Sequence, residues 1–366
     1  MKRYNNNILR VSSPGRICLF GEHQDYLNLP VIASAISLRI YIEGHVNDQG
    51  DAVIHLPDID DEETFSLSGQ IGYEKERDYF RSSVNVMKKH GYTFSRGMEC
   101  TVKGEIPINA GTSSSSALVV TWINVLARVS DQGISLPPEV VAEHAYEAEV
   151  LEFSEPGGMM DHYSTAVGGI IFLDSYPEIS VKRLTPGLGT FVLGNSGEPK
   201  DTKLILARVK NQIQRVVKEL QETYPDFSLR TVGESEIDEY AGKLKNEQVE
   251  LLHGTVRNRD ITWNALDVLS RPNVDRTRVG ELINEHHKVL RDTLEISTPK
   301  IDRMIAASLE AGAYGGKING SGGGGCMFAY APENPLKVKE AIEKEGGEAY
   351  IVNVAEGTRS EVLEAV

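Results

Sequence analysis

Strands and helices that mix without a regular βαβ alternation predict an α+β fold. Two further observations support that class. The chain has 366 residues, enough for two domains and a large core. Its composition, 40% hydrophobic and 25% charged, is that of an ordinary globular protein, with no internal repeat or low-complexity tract.

The elements follow from local patterns. A strand-like apolar stretch carries Ile17 to Phe20, and Arg39 to Val46 alternates polar and apolar residues as a half-buried strand does. Met98 to Gly104 reads as another strand. Ser115 to Val129 is apolar nearly all round and reads as a buried helix. Pro137-Pro138 opens a helix over Glu139 to Leu151, and Met159 to Ala166 continues after Gly157-Gly158. Gly169 to Asp174 is a short apolar strand. Thr185 to Ser196 is turn-rich, and Pro186 to Asn195 is the best candidate for a domain boundary. Beyond it, Leu204, Leu206, Val209, Ile213, Val216, Val217 and Leu220 recur with a period of about 3.6 residues. Glu234 to Leu269, Val279 to Leu290, Pro299 to Glu310 and Leu336 to Lys344 read as helices. Gly325 to Ala331 and Glu348 to Val354 read as strands, the second closing the fold.

Bulk properties exclude several classes. A net charge of −15 disfavours a nucleic-acid or anionic-membrane surface, though a local positive site can still hold a small anion. Cys18, Cys100 and Cys326 are odd in number and far apart, without zinc or disulfide spacing, which points to a reducing cytoplasm. Met1 to Asn7 is basic but has no apolar segment behind it, and no stretch is long enough to span a bilayer.

Four constellations carry chemistry. The first is Ile108-Asn109-Ala110-Gly111-Thr112-Ser113-Ser114-Ser115-Ser116-Ala117, a loop entering a helix. Backbone N–H groups, hydroxyls and a helix N-terminus together suit a phosphate, although no Gly-Lys-Ser/Thr ending follows. A cap and a turn is the plainer reading of the same residues. The second is Pro14 to Tyr26, where Glu22, His23 and Asp25 fall within four residues. Carboxylates so close suit sugar hydroxyls, each accepting two or more hydrogen bonds. A polar turn is the alternative, and a metal at His23 and Asp25 lacks a third ligand at suitable spacing. The third is Glu149 to Tyr163, where Glu149 leads to Gly157-Gly158-Met159-Met160-Asp161; a surface helix acid and a helix N-terminal acid are the plainer readings of Glu149 and Asp161. A partly buried Asp161 needs a partner, for which Arg16 is a candidate. The fourth is Gly312 to Cys326, with eight glycines in fourteen residues; a flexible linker is the plainer reading, but a flanking helix and the apolar Cys326-Met327-Phe328 fit a tight packed loop better.

In order and content these segments resemble the GHMP kinase family, most closely its galactokinase branch. Pro-Gly-Arg-Ile-Cys-Leu-Phe-Gly-Glu-His-Gln-Asp-Tyr at 14–26 is similar to the galactokinase signature. Ala-Gly-Thr-Ser-Ser-Ser-Ser-Ala at 110–117 is similar to the family phosphate loop, and Gly-Gly-Met-Met-Asp at 157–161 to the segment with the catalytic acid. Asn284 to Asp292, then Ser297, Pro299 and Asp302, also follow the pattern, as does the glycine-rich run 312–325. The resemblance is colinear from about residue 10 to 331.

It implies a two-domain fold, 1–190 and 191–366, with the active site in the cleft between them. It implies an ATP- and Mg²⁺-dependent kinase acting on the anomeric hydroxyl of galactose or a close relative. Asp161 would be base or orienting carboxylate, and Arg16 its partner. Gly111, Thr112, Ser113, Ser114, Ser115 and Ser116 would cradle the triphosphate, with Ser116 and Glu149 on the metal. Glu22, His23, Asp25 and Gly158 would meet the sugar, and Gly322 to Gly324 would lie beside the phosphate loop. The implied protein is cytoplasmic, a monomer or weak homodimer, with no nucleic-acid or membrane partner. Some features depart from the branch: Leu27-Asn28-Leu29-Pro30 replaces a usual glycine pair. Gly316-Lys317 before an unbroken Gly322 to Gly325 is nearer the heptose-phosphate kinases. A heptose 7-phosphate kinase and a non-catalytic sugar and ATP sensor therefore stand as alternatives, the intact Ser116-Ala117 weighing against the sensor.

Overall fold

The structure is a computed structural model that describes residues 8–108 and 111–363. Met1 to Asn7, and Asn109-Ala110 of the serine loop, lie outside the described residues. Strands and helices are mixed as expected for α+β.

The first sheet contains β1 (Ile8–Phe20), β2 (Val31–Asn47), β3 (Asp51–Leu56), β4 (Asp61–Ser66), β5 (Gly97–Gly104), β6 (Ile170–Asp174) and β7 (Ser180–Leu184). The second contains β8 (Thr190–Asn195), β9 (Gly315–Asn319), β10 (Cys326–Tyr330) and β11 (Glu348–Asn353), in the order β11-β8-β10-β9. A last strand, β12 (Arg359–Leu363), returns to the first sheet and pairs antiparallel with β1. The first sheet is thus not built from residues 1–190 alone, and Glu348–Asn353 is not the closing strand. The turn-rich run 185–196 contains β8, whose register with β10 and β11 only long-range pairing supplies.

Strand β2 extends well before Arg39 because Val31 to Ser34 pair with β6 and Ile32 to Ala35 with β1. Side chains there alternate between two cores. Val31, Ala33, Ile40 and Ile42 face α1 (Tyr79–Lys89), α2 (Ser114–Val129), α3 (Pro138–Tyr146) and α4 (Met160–Val167). Ile17, Leu19, Phe20, Ile32 and Ile36 face the second sheet, against Phe191, Leu193, Phe328 and Tyr330. This shared core joins the two sheets without a linker.

Helix α2 is buried along most of its length. Trp122 is fully enclosed, donating its indole N–H to the Phe80 carbonyl at 3.1 Å and meeting the Phe80 ring edge-on. Helices α5 (Thr202–Thr223), α6 (Ile237–Tyr240), α7 (Asn246–Leu269) and α8 (Arg276–Asp292) complete the second half with α9 (Pro299–Glu310) and α10 (Pro335–Lys344). In α5, Val209, Ile213, Val216 and Leu220 form the buried stripe, while Leu204 is exposed. The polar run from Glu234 is not one helix: it breaks at Leu244-Lys245, where extended backbone precedes α7. Helix α9 has the bounds its pattern predicts, with Pro299 at its first position and Thr298 capping the Ile301 N–H.

Candidate active-site cleft

One cleft of about 340 Å³ gathers nearly every residue singled out from the sequence. Arg16, Glu22, His23, Asp25, Gly111, Ser113 to Ser116, Glu149, Gly158 and Asp161 all line it. Thr112 is the exception: it is fully buried and off the cleft wall, because its carbonyl turns back to accept the Arg16 backbone N–H.

Arg16 stands at the end of a β-bulge in β1. Its Nε donates to Asp161 Oδ1 at 2.7 Å and its Nη1 to the Gly111 carbonyl at 2.6 Å. One guanidinium therefore ties the acid at the start of α4 to the serine loop. Burial pushes the Asp161 carboxyl up, but the charge and hydrogen bond of Arg16 override it, and the group titrates below the usual carboxylate range. Asp161 is ionised at neutral pH and part of it faces solvent.

Ser113 takes a left-handed conformation, φ 60°, at the entry to α2, and its side chain does not cap the helix. The cap-and-turn reading of the serines is not what forms. Ser113 to Ser116, at the first turn of α2, line the cleft instead, with Ser114 and Ser115 accessible; the first amides of a helix have no partner within it. The glycine-rich loop locks against this one. A Cβ on Gly320 would lie 2.6 Å from the Gly111 carbonyl, and one on Gly111 would lie 2.7 Å from the Asn319 carbonyl. Asn319 Nδ2 donates to that same Gly111 carbonyl at 2.8 Å. So Asn319 and Gly320 lie beside the serine loop, not Gly322 to Gly324, which pack on Ile296, Ile205 and Glu198 with φ between 72° and 126°.

In the same cleft, Asp25 accepts from its neighbour Tyr26 N–H at 3.0 Å and from Met160 N–H at 3.1 Å. Burial outweighs these bonds and raises its carboxyl to about 6. Glu22 is buried with Lys317, whose Nζ donates to Glu22 Oε2 at 2.7 Å and to the Cys18 carbonyl at 2.8 Å. His23, at φ 63°, contacts the Ser321 carbonyl through Nε2 at 3.1 Å and the Tyr26 hydroxyl through Nδ1 at 2.7 Å. A carbonyl only accepts, so Nε2 carries the hydrogen and Nδ1 accepts from Tyr26. Burial lowers the ring to about 4, which keeps it neutral, and neither nitrogen is free for a metal.

Glu149 lies not on a regular helix but on a π-helical turn, Glu147–Leu151, marked by the Glu152 N–H bond to the Glu147 carbonyl. The wider turn brings its carboxylate into the cleft, where Oε2 meets His162 Nε2 at 2.7 Å.

Two lysines escaped sequence reasoning. Lys317 was legible only as part of a glycine-rich run, and nothing local announced it as the buried countercharge of Glu22. Lys200, in the loop before α5, reaches the serine loop and donates to Ser321 Oγ at 3.1 Å. The Asn284 to Asp302 pattern is structural. Asn284 accepts the Gly316 N–H, and His287 joins the Ile318 N–H to Asp302, so these residues hold β9.

The fold agrees with the comparisons to known proteins. Residues 78–169 match the GHMP kinases N terminal domain, residues 270–348 the GHMP kinases C terminal domain, and residues 1–45 the galactokinase galactose-binding signature. The chain belongs to the GHMP kinase family, whose members are ATP-dependent phosphotransferases. Within it the chain is 30% identical to a mevalonate kinase of Thermococcus sibiricus, over 96% of this chain and 97% of that one. It is 28% identical to a galactokinase of Clostridium acetobutylicum, over 98% and 95% of the two chains. The fold superposes on Lactococcus lactis galactokinase complexed with galactose with a TM-score of 0.85, at 22% identity over 96% and 95%. No described helix is long and apolar enough to cross a membrane.

Proposed function

We propose that the protein is an ATP-dependent sugar kinase that phosphorylates the anomeric hydroxyl of galactose or a closely related monosaccharide. The observation that carries this reading is the Asp25 carboxylate in the same cleft as the serine loop, held by two backbone N–H groups and facing Gly158. A carboxylate so fixed accepts paired hydroxyls of a neutral polyol. The galactose-binding signature over residues 1–45 supports the same assignment.

The mevalonate kinases among its relatives favour a second reading, in which the acceptor is mevalonate. That acceptor is itself an anion and calls for an uncommitted cation. The cations lining the cleft are Arg16, paired with Asp161, Arg77, paired with Glu155, and Lys200, at the serine loop. Beside Asp25, Lys210 stands 5.5 Å over the Tyr26 ring and donates to the Pro156 carbonyl, so it is the galactose-binding signature over residues 1–45, and not a lack of cations, that favours the sugar.

In the proposed reaction Asp161 accepts the hydroxyl proton, or orients the hydroxyl, as the phosphoryl group arrives. Arg16 keeps it ionised beforehand and offsets charge on the transferring group. The amides at the start of α2, with Ser113 to Ser116, hold the phosphates. Ser116 and Glu149 would hold Mg²⁺. One hydroxyl and one carboxylate on a common cleft fit an ion that keeps waters and phosphate oxygens as its other ligands. That ion, when bound, supplies charge neutralisation for the phosphates.

The test is coupled ADP release against galactose, galacturonate, arabinose, fucose, N-acetylgalactosamine, a heptose 7-phosphate and mevalonate. Turnover with a free sugar is expected. Turnover confined to mevalonate or the heptose phosphate would overturn the substrate assignment. Ligand binding without turnover would favour a sensor.

A further inference from the structure

We propose that Lys200 is a phosphate-binding residue, a cation delivered by the loop before α5 to the nucleotide phosphates at the serine loop. This rests on the kinase reading of the cleft but not on which acceptor is used.

Four observations meet at this side chain. First, its Nζ lies 2.8 Å from where a Cβ on Gly111 would stand, so it touches the serine loop at its tightest point. Second, no carboxylate lies within ion-pair distance of it among the described residues; its one hydrogen bond there is to the neutral Ser321 Oγ. Arg16, the nearest cation, is already committed to Asp161 and the Gly111 carbonyl. Third, the loop that carries it is pinned. Ser196 bonds the Gly325 carbonyl, Glu198 accepts the Gly325 N–H, Thr298 holds the Glu198 carboxylate, and Lys300 holds the Ser196 carbonyl. Fourth, the entry of α2 beside it has no side-chain cap.

A partly buried ammonium without a counterion is unfavourable in the free protein. Holding Ser321 would not require it, since a neutral donor serves a hydroxyl as well. An incoming polyphosphate supplies the missing charge. The serine loop lacks the Gly-Lys-Ser/Thr lysine of the common phosphate loop, and Lys200 fills the same need from the other half of the molecule. Lysine serves there as a compact point charge.

The charged groups around Lys200 set its pH response. Burial lowers it first and Arg16 on β1 next, while Cys326 on β10, Glu22 and Asp161 act in the opposite sense, with a result of about 8. The protonated form binds phosphate. Affinity for nucleotide is therefore full below pH 8 and falls as pH rises through it.

The experiment uses the full chain without sugar and titrates ADP and inorganic tripolyphosphate by calorimetry. Separate measurements give KM for ATP against pH, sugar affinity and Tm. K200M is expected to weaken both phosphate ligands at least about tenfold and to raise KM for ATP, with sugar affinity kept. The fall in kcat/KM for ATP above pH 8 should vanish. K200R should recover most of the affinity and also lose that alkaline limb. Wild-type tripolyphosphate and ADP affinity in K200M overturns the proposal. So does a parallel loss of sugar binding and Tm that K200R does not repair. If no free sugar is phosphorylated yet tripolyphosphate binding still depends on residue 200, the acceptor reading fails and Lys200 keeps its role.

Discussion

The Asp25 carboxylate rests directly on Gly158, so that a methyl group at 158 would lie 2.0 Å from Asp25 Oδ2. Asp25 belongs to the turn after β1 and Gly158 to the turn before α4. The absence of a side chain at 158 is what lets the acid sit beside Met160 N–H and still face the cleft. Gly158→Ala must push the carboxylate out of place. Because 158 is at a loop and not in a packed core, the fold should survive. The expected result is a rise in sugar KM of at least about tenfold with ADP affinity unchanged, a loss on the scale of a misplaced hydrogen-bond group. Unaltered sugar kinetics in this variant would remove Asp25 from the sugar site.

Asp25 also predicts a pH dependence. It must be ionised to accept from two hydroxyls, and burial raises it to about 6. In the free enzyme kcat/KM for sugar should rise as pH increases through 6 and level off above it. Asp25→Asn should abolish that acid limb along with most of the activity. The stability consequence has the opposite sign. A carboxyl raised in the folded state favours the protonated form, so its ionisation lowers stability as pH climbs from the unfolded value through 6. Asp25→Asn should therefore melt higher than wild type at pH 7, and at nearly the same temperature at pH 4.

Asp161 is accessible, ionised and fixed by Arg16. Asp161→Asn keeps the size and one acceptor but removes the charge. The expectation is a fall in kcat of about 10²–10⁴-fold with nucleotide binding largely intact, read from steady-state kinetics and ADP titration. A variant with near-normal kcat would leave Asp161 as no more than a partner for Arg16.

Ser116→Ala and Glu149→Gln address the metal. Each removes one of the two side-chain ligands proposed for Mg²⁺. Activity at limiting Mg²⁺ should drop, with partial recovery as the ion is raised to saturation. For Glu149→Gln the recovery should be weaker, because a carboxylate contributes charge as well as an oxygen ligand. Full activity of Ser116→Ala at limiting Mg²⁺ contradicts its assignment.

Local signals read well where a motif is contiguous. Glu22, His23 and Asp25 fall within four residues, and the serines adjoin the helix they begin, so their common cleft was legible from resemblance and from local chemistry. Among long-range partners, Arg16 and Asp161 were legible across 145 positions, but others were not. Lys317 sits 295 positions from Glu22, and Lys200 meets Ser321 across 121. Neither spacing has a period: the first pair forms only when the second sheet folds against the first, and the second only when the loops after β8 and β9 meet. Strand β8 hides in a Gly- and Pro-rich run because its partners, not its own alternation, make it a strand. The return of β12 to β1 has the same origin. Thr112 looked like its serine neighbours, but the backbone turn that presents Gly111 to Arg16 buries it.

The most direct test of the central claim is a competition. The protein, ATP and Mg²⁺ are supplied with equal galactose and mevalonate, and the products are followed by ³¹P NMR with proton coupling. The account predicts a sugar phosphate whose phosphorus couples to the anomeric proton, with mevalonate left unchanged. Phosphomevalonate as the only product would contradict it and make Asp25 part of a different acceptor site.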